Sequence, residues 1–240
     1  MKRCSAHSQC LNNRPVRNFR KAFVRRSAHI LKRRGGATIR DYTKLDAFLD
    51  ARVDDIYPAP FGEPHISIIT QTVPALIAHY DIKKGAKVLD VGCGHGLALR
   101  IFREHGYDVM GIGFGDEAQK SRDEGFEIVE RDMSFLEFED ATFDVVWCRH
   151  VLEHSVFPYF TLQEMARILK PGGVFYAEVP APDTPCRHEL NPNHYSVLTR
   201  SMWLTLIARV GFDDARNQDI NFNVPAGKDT YYMFDCRKSS

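Results

Sequence analysis

The chain reads as an α/β protein built on a doubly wound, mostly parallel sheet, and three observations lead there. Short apolar runs alternate with helical patterns from about residue 87 to residue 169, the order produced when a crossover helix joins each parallel strand to the next. The first run, Lys87-Val88-Leu89-Asp90-Val91, is followed by glycines at alternating positions, Gly92, Gly94 and Gly96, and then by a helical pattern from Leu97. The tail, at 220–224 and 231–236, reads as a closing antiparallel hairpin.

Composition sets the outer bounds. With 240 residues, 44% hydrophobic and 26% charged, the chain suits one main domain with an extension. No apolar run approaches the roughly 18 residues that a membrane span needs. The six cysteines form no CxxC pair and no regular framework, so reduced thiols in a cytoplasmic compartment are expected.

The net charge of +1 hides a segregated basic arm. Residues 1–40 contain twelve Lys or Arg and no acid, which leaves 20 basic and 31 acidic residues in the rest. Phe19, Phe23 and Ile30 fall at helical spacing among the arginines, and Gly35-Gly36 would end such a helix. Three readings stay open: a solvated arm, a contact with nucleic acid or an anionic surface, and an acid-free, Arg-rich organelle-targeting peptide. An ordinary secretory signal is not expected, because no apolar h-region is present.

Residues 41–240 form the expected domain. Residues 42–53 read as a helix, 57–62 as a Pro-rich loop, and 66–80 as a second helix with Pro74 at a kink or start. Strands follow at 88–91, 108–114, 127–131, 143–149 and 174–179. Helices are expected at 97–105, 116–124, 160–169 and 198–210. Lys170-Pro171-Gly172-Gly173 would stop the third core helix, 160–169.

The glycine turn carries the first chemical signal. Strand, glycine turn and helix in that order make a nucleotide-sized ligand site, since glycines let the backbone approach closely and the helix start offers unpaired N–H groups. Dinucleotide binding wants G-x-G-x-x-G, which would put a third glycine at position 97, where the chain has Leu97. A phosphate loop would end in Gly-Lys-Ser/Thr, and none is present.

Asp90 followed by Gly92-x-Gly94-x-Gly96 instead resembles the first motif of the class I S-adenosylmethionine-dependent methyltransferases. Three further blocks stand in that family's order: Arg131-Asp132-Met133 leading to 140–146, His150-Val151-Leu152-Glu153-His154, and Ile168-Leu169-Lys170-Pro171-Gly172-Gly173. The resemblance extends from about 87 to 173 and is nearest to the broad domain that includes the quinone-biosynthesis type. It implies a Rossmann-like, seven-stranded sheet with helices capping it from the N-terminal side, and S-adenosylmethionine as cofactor.

Roles implied by the resemblance follow. Gly92, Cys93 and Gly94 would lie under the methionine part, with Asp90 fixing the turn. Asp132 would accept a hydrogen bond from the adenine amino group, with Met133 beside the ring. Cys148 and the two residues after it would line the path to the substrate. One position departs: the acid expected at the end of the second strand, which holds the ribose hydroxyls, is Gly113. Asp116 is the expected substitute, with Glu117 as another. The departure also leaves room for a non-catalytic binding module.

The remaining signals concern the acceptor. His150-x-x-Glu153-His154 matches an inverted zinc-protease motif, but it directly follows a buried strand and metal binding is not expected. The loop from Glu178 to Ser196, with Arg187, His188, His194 and Tyr195, is expected to form the acceptor pocket, because ligands of open α/β sheets bind beyond the strand carboxyl ends. Candidate bases for a hydroxyl acceptor are His194, His150 and His154, with Glu178 as an outside choice. The expected reaction is methyl transfer to a small-molecule or glycan- or lipid-linked oxygen. Transfer to RNA docked on the basic arm is the alternative within enzymes.

Overall fold

In the computed structural model the described residues are 42–53 and 62–239; the basic arm and most of the 57–62 loop lie outside them. Residues 44–240 form one compact unit. Its helices are α1 (Thr43–Val53), α2 (His65–Tyr80), α3 (Leu97–Glu104), α4 (Gly115–Asp123), α5 (Pro158–Ile168) and α6 (Arg200–Arg209). Its strands are β1 (Lys87–Val91), β2 (Asp108–Ile112), β3 (Glu127–Val129), β4 (Phe143–Arg149), β5 (Leu169–Pro180), β6 (Phe212–Val224) and β7 (Gly227–Lys238). Among the described residues no helix is long and apolar enough to cross a membrane.

The strands form one seven-stranded sheet in the order β3-β2-β1-β4-β5-β7-β6. The first five pair in parallel, and β7 pairs antiparallel with both β5 and β6. The order reverses between β1 and β4. Beyond the carboxyl ends of those two strands, the crossover helices diverge to opposite faces and leave a crevice.

Strand alternation sorts the side chains into two cores. Val88 on β1, Val145 and Trp147 on β4, Tyr176 on β5 and Met233 on β7 pack with Val73, Leu76 and Phe102 of α2 and α3. The Trp147 and Tyr176 rings stack with centroids 4.0 Å apart. Leu89, Val146, Cys148, Phe175, Ala177 and Phe234 face the other way, against α5 and α6. Asp90, Arg149 and Glu178 share parity with the first set, so three charged residues at adjacent strand ends face the α2 side.

The largest departures from the sequence expectation are in β5 and the hairpin. β5 begins at Leu169 rather than 174, because Leu169 already pairs with Phe143 and the ladder resumes at Val145 with Val174. Residues 170–173 form an irregularity inside the strand, with Gly172 at φ +72°. The hairpin is also far longer than expected. β6 is an edge strand whose residues 213–219 carry charged and polar side chains largely in solvent, and such an edge shows no apolar alternation to read. Pro74 lies within α2, not at its start.

Candidate active site

The turn after β1 holds its shape through its own backbone. The amides of Gly92 and Cys93 both donate to the Ile112 carbonyl, at 2.9 and 2.8 Å, and that of Gly96 donates to Cys93 at 2.8 Å. Gly92 has φ +75°, and a Cβ there would lie 2.2 Å from Val151 Cγ2. The position therefore requires glycine on both conformational and packing grounds. α3 starts at once after the turn with no side-chain cap, so its first amides stay available to a ligand.

The missing acid at Gly113 has a packing cause. A Cβ on Gly113 would come 3.0 Å from Cys93 Sγ and 3.2 Å from Ala118 Cβ. Cys93 occupies space that a larger residue at 113 would need. Burial pushes the Cys93 thiol up, so it stays neutral and acts as a filler.

A cavity of about 530 Å³ opens over this turn. At one end its walls include Asp90, Gly92, Cys93, Gly94, Asp132 and Met133. Burial raises the Asp90 carboxyl to about 7, with Arg149 opposing the shift. Asp132 turns one oxygen back to its own loop, accepting from the Ser134 amide at 2.7 Å.

Two expected cofactor residues are not brought to the cavity. Asp116 is exposed in the first turn of α4 and does not line it, whereas Glu117 does. One residue rotates the side chain by about 100° around a helix axis. Glu117 Oε1 lies 3.1 Å from His95 Nε2 at the rim of the glycine turn. Cys148 is fully buried in the core beneath α5 and α6 and also does not line the cavity. Its neighbour Arg149 takes the opposite face of the strand, toward the ligand space.

At the other end, five histidines converge from three separate stretches of chain: His65, His150, His154, His188 and His194. All three expected bases are among them. Beneath them Arg149 donates through Nε to Glu178 Oε2 at 2.7 Å and through Nη2 to His65 Nδ1 at 3.0 Å. The Tyr176 hydroxyl donates to the other Glu178 oxygen. Burial raises the Glu178 carboxyl, but His150, Arg149 and Tyr176 outweigh it and leave the group below its ordinary value. Glu178 is thus a buried, paired anion under the cavity.

His150 adopts φ +55° and stacks on Tyr231 with centroids 4.3 Å apart. Its Nε2 lies 3.6 Å from Glu178 Oε2, beyond hydrogen-bond reach, and has no partner. Burial, with Arg149 adding, lowers His150 to about 3. Burial also lowers His154, and burial, with the neighbouring His154 and His188 adding, lowers His194 to about 4. All three imidazoles are neutral near pH 7.

The loop after β5 contributes His188, Asn191, Asn193, His194 and Tyr195 to the wall. His188 Nε2 contacts both Asp229 oxygens, at 3.1 and 3.0 Å. Residues not anticipated are His65 at the first position of α2 and Tyr231 on β7. Both are remote in sequence from every motif, and nothing local marks them.

Known proteins place this geometry. Residues 67–225 match the family described as a methyltransferase domain. The chain is 33% identical over 153 residues to a glycine/sarcosine/dimethylglycine N-methyltransferase of Actinopolyspora halophila, covering 58% of this chain and 27% of that protein. It is 35% identical over 106 residues to a ubiquinone biosynthesis O-methyltransferase of Idiomarina loihiensis, covering 41% and 44%. It therefore spans less than half the length of these relatives. A crystal structure of a SAM-dependent methyltransferase from Archaeoglobus fulgidus shares the fold, with TM-score 0.61, 16% identity, and coverage of 80% of this chain and 99% of that one. With the family matched over residues 67–225 and the sheet order and glycine turn in place, the chain belongs to the methyltransferase domain family.

Proposed function

We propose that the chain is an S-adenosylmethionine-dependent methyltransferase that acts by in-line displacement on an oxygen of a small-molecule or glycan- or lipid-linked acceptor. The observation that supports this is the division of one cavity into two chemistries. The glycine turn, Asp132 and Met133 stand at one end, and Arg149 with five histidine rings stands at the other. Its volume, about 530 Å³, lies within the roughly 300–1,000 Å³ usual for small-molecule sites. At Gly94, which lines the cavity, a Cβ would meet only Glu117 Oε2 within 4 Å, so the backbone there is open to a ligand that needs close approach.

In this reading Gly92, Cys93 and Gly94 lie under the methionine part, and ionised Asp90 faces its positive charge. Glu117 takes the ribose-binding role left empty at Gly113, in place of Asp116. Asp132 accepts from the adenine amino group with its second oxygen, and Met133 flanks the ring. When bound, the cofactor supplies a methyl group on a positively charged sulfur, and transfer discharges that charge. The chain's part is to align acceptor and methyl and to exclude water. His150, His154 and His194, held neutral, accept a hydrogen bond from an acceptor hydroxyl and aim its lone pair. Lowered to about 3 and about 4, His150 and His194 are weak proton acceptors.

Calorimetric titration with S-adenosylmethionine, followed by labelled-methyl transfer into fractionated extract, tests the reading. Binding and an oxygen-methylated product of low mass support it. Absence of binding by the folded chain, or label found in RNA, overturns it.

A further inference from the structure

Beside the stacked His150 and Tyr231, a second cluster converges on the same cavity. Glu153 and His154 sit on the 3-10 turn Leu152–His154 that follows β4. His194 comes from the loop after β5. Potential ligand atoms of the three lie within 4.8 Å of one another, and the His154 and His194 rings meet edge to face with centroids 4.8 Å apart. The loop is tied to the turn by the Ser196 amide on the Glu153 carbonyl at 2.9 Å and by Ser196 Oγ on the Ser155 carbonyl at 2.7 Å.

The hydrogen-bond inventory of this cluster is incomplete. Glu153 is 2% exposed, yet its Oε2 has no partner, and neither has the buried Nδ1 of His194. Buried polar atoms in folded proteins nearly always find one. His154 has its Nδ1 on the Asn193 carbonyl at 2.8 Å, which puts the proton there and leaves the Nε2 lone pair open. That is the arrangement of a metal-ligating histidine oriented by a backbone carbonyl. One potential ligand atom from each residue thus lies within 4.8 Å of the other two, and all three residues line the cavity.

We propose that Glu153, His154 and His194 bind one divalent transition-metal ion at the acceptor end of the cavity. Two imidazoles and a carboxylate suit Zn²⁺, Co²⁺, Fe²⁺ or Mn²⁺, while Ca²⁺ and Mg²⁺ demand all-oxygen shells. Ligand atoms at about 2.1 Å from a tetrahedral ion stand about 3.4 Å apart, so closure needs only small side-chain rotations. Three protein ligands leave a coordination position open to the cavity. There the ion would hold an oxygen of the acceptor in place of the direct hydrogen bonds to His154 and His194, a role that rests on the methyl-transfer reading, whereas binding of the ion does not.

The sequence spacing pointed elsewhere. His150-x-x-Glu153-His154 would pair its two histidines on one helix, but His150 turns away in a left-handed conformation. Its place is taken by His194, forty residues beyond His154. A neighbouring group, Cys186, His188 and Asp229, comes as close together, but its atoms are spent on one another. His188 contacts both Asp229 oxygens, and the Cys186 thiol bonds to the same carboxylate. That group supplies a control.

The full chain, stripped with a chelator, is titrated with Co²⁺ while visible absorption is recorded, and Zn²⁺ is then added. One equivalent of Co²⁺ with d–d bands, displaced by Zn²⁺, is expected. Glu153→Gln and His194→Ala should each weaken Co²⁺ binding by about 100-fold or more, beyond the 10–100-fold typical of outer-shell partners. Circular dichroism checks that each variant is folded, and Cys186→Ser should bind Co²⁺ as the unaltered chain does. No stoichiometric binding overturns the site. So does binding that survives in both folded ligand variants or is lost in Cys186→Ser. Titration of the same samples with S-adenosylmethionine keeps the two proposals apart. Co²⁺ binding without cofactor binding defeats the methyltransferase reading alone, and the reverse defeats the metal site alone.

Discussion

Replacing Arg149 with Met should destabilise the domain in a pH-dependent way. Arg149 and Glu178 are 9% and 0% exposed at their side chains and meet at 2.7 Å. Removing one partner of such a pair leaves a buried charge and costs about 3–5 kcal/mol. For a domain near 200 residues this corresponds to a fall in Tm on the order of 10 °C. In the unaltered chain Glu178 lies below its ordinary value, because His150, Arg149 and Tyr176 outweigh burial. Its contribution is therefore present above the unfolded carboxylate pKa of about 4.3 and lost as pH falls through the lower folded value. In Arg149→Met, burial acts with less opposition and the folded value moves up. The folded variant then binds protons more readily than the unfolded chain, and the deficit grows as pH rises through the shifted value. Urea melts at pH 5 and pH 8 should show a larger deficit at pH 8. Adding Glu178→Gln should recover about 2 kcal/mol or more at pH 8. A deficit that does not vary with pH, or a double variant no better than the single, would refute the reasoning.

Gly92→Ala should cost about 2–4 kcal/mol, from the clash of its Cβ with Val151 and the left-handed backbone. Gly125→Ala shares a positive φ but meets nothing within 4 Å, so it should cost only about 1 kcal/mol; equal losses in urea melts would remove the packing argument. Glu117→Gln should weaken S-adenosylmethionine binding about 10-fold or more by loss of charged hydrogen bonds, while Asp116→Ala leaves it unchanged. Calorimetry showing the opposite order would return the ribose role to Asp116. Asp90, raised to about 7 by burial, stabilises the cofactor-free chain fully below about pH 4 and loses that contribution as pH rises through about 7. Cofactor-free stability should therefore fall between pH 5 and 8 while affinity for the cationic cofactor rises, and Asp90→Asn should flatten both trends.

What the sequence revealed, and what it did not, follows from the range of the interactions. The parallel strands were legible because strands covered on both faces are continuously apolar, as Val145, Val146, Trp147 and Cys148 are. β6 was obscured because an edge strand carries polar residues on both faces. Cys148 and Arg149 are neighbours in a strand, so they had to part to opposite faces; period-two alternation alone carried that signal. That Glu117 rather than Asp116 lines the cavity turned on where α4 starts, and helix ends are uncertain by a residue or two from sequence. His65 and Tyr231 reach the cavity from elements 85 and 81 residues away from His150, by opposite routes around the sheet. No spacing in the chain encodes that meeting.

The central claim is that the cavity over the Gly92 turn binds S-adenosylmethionine. Isothermal titration of the full chain with that cofactor tests it most directly, with Gly92→Ala and Glu117→Gln alongside. The account predicts one saturable site in the micromolar range that is weakened in both variants. A folded chain that takes up no S-adenosylmethionine, or takes it up equally well in both variants, would contradict it.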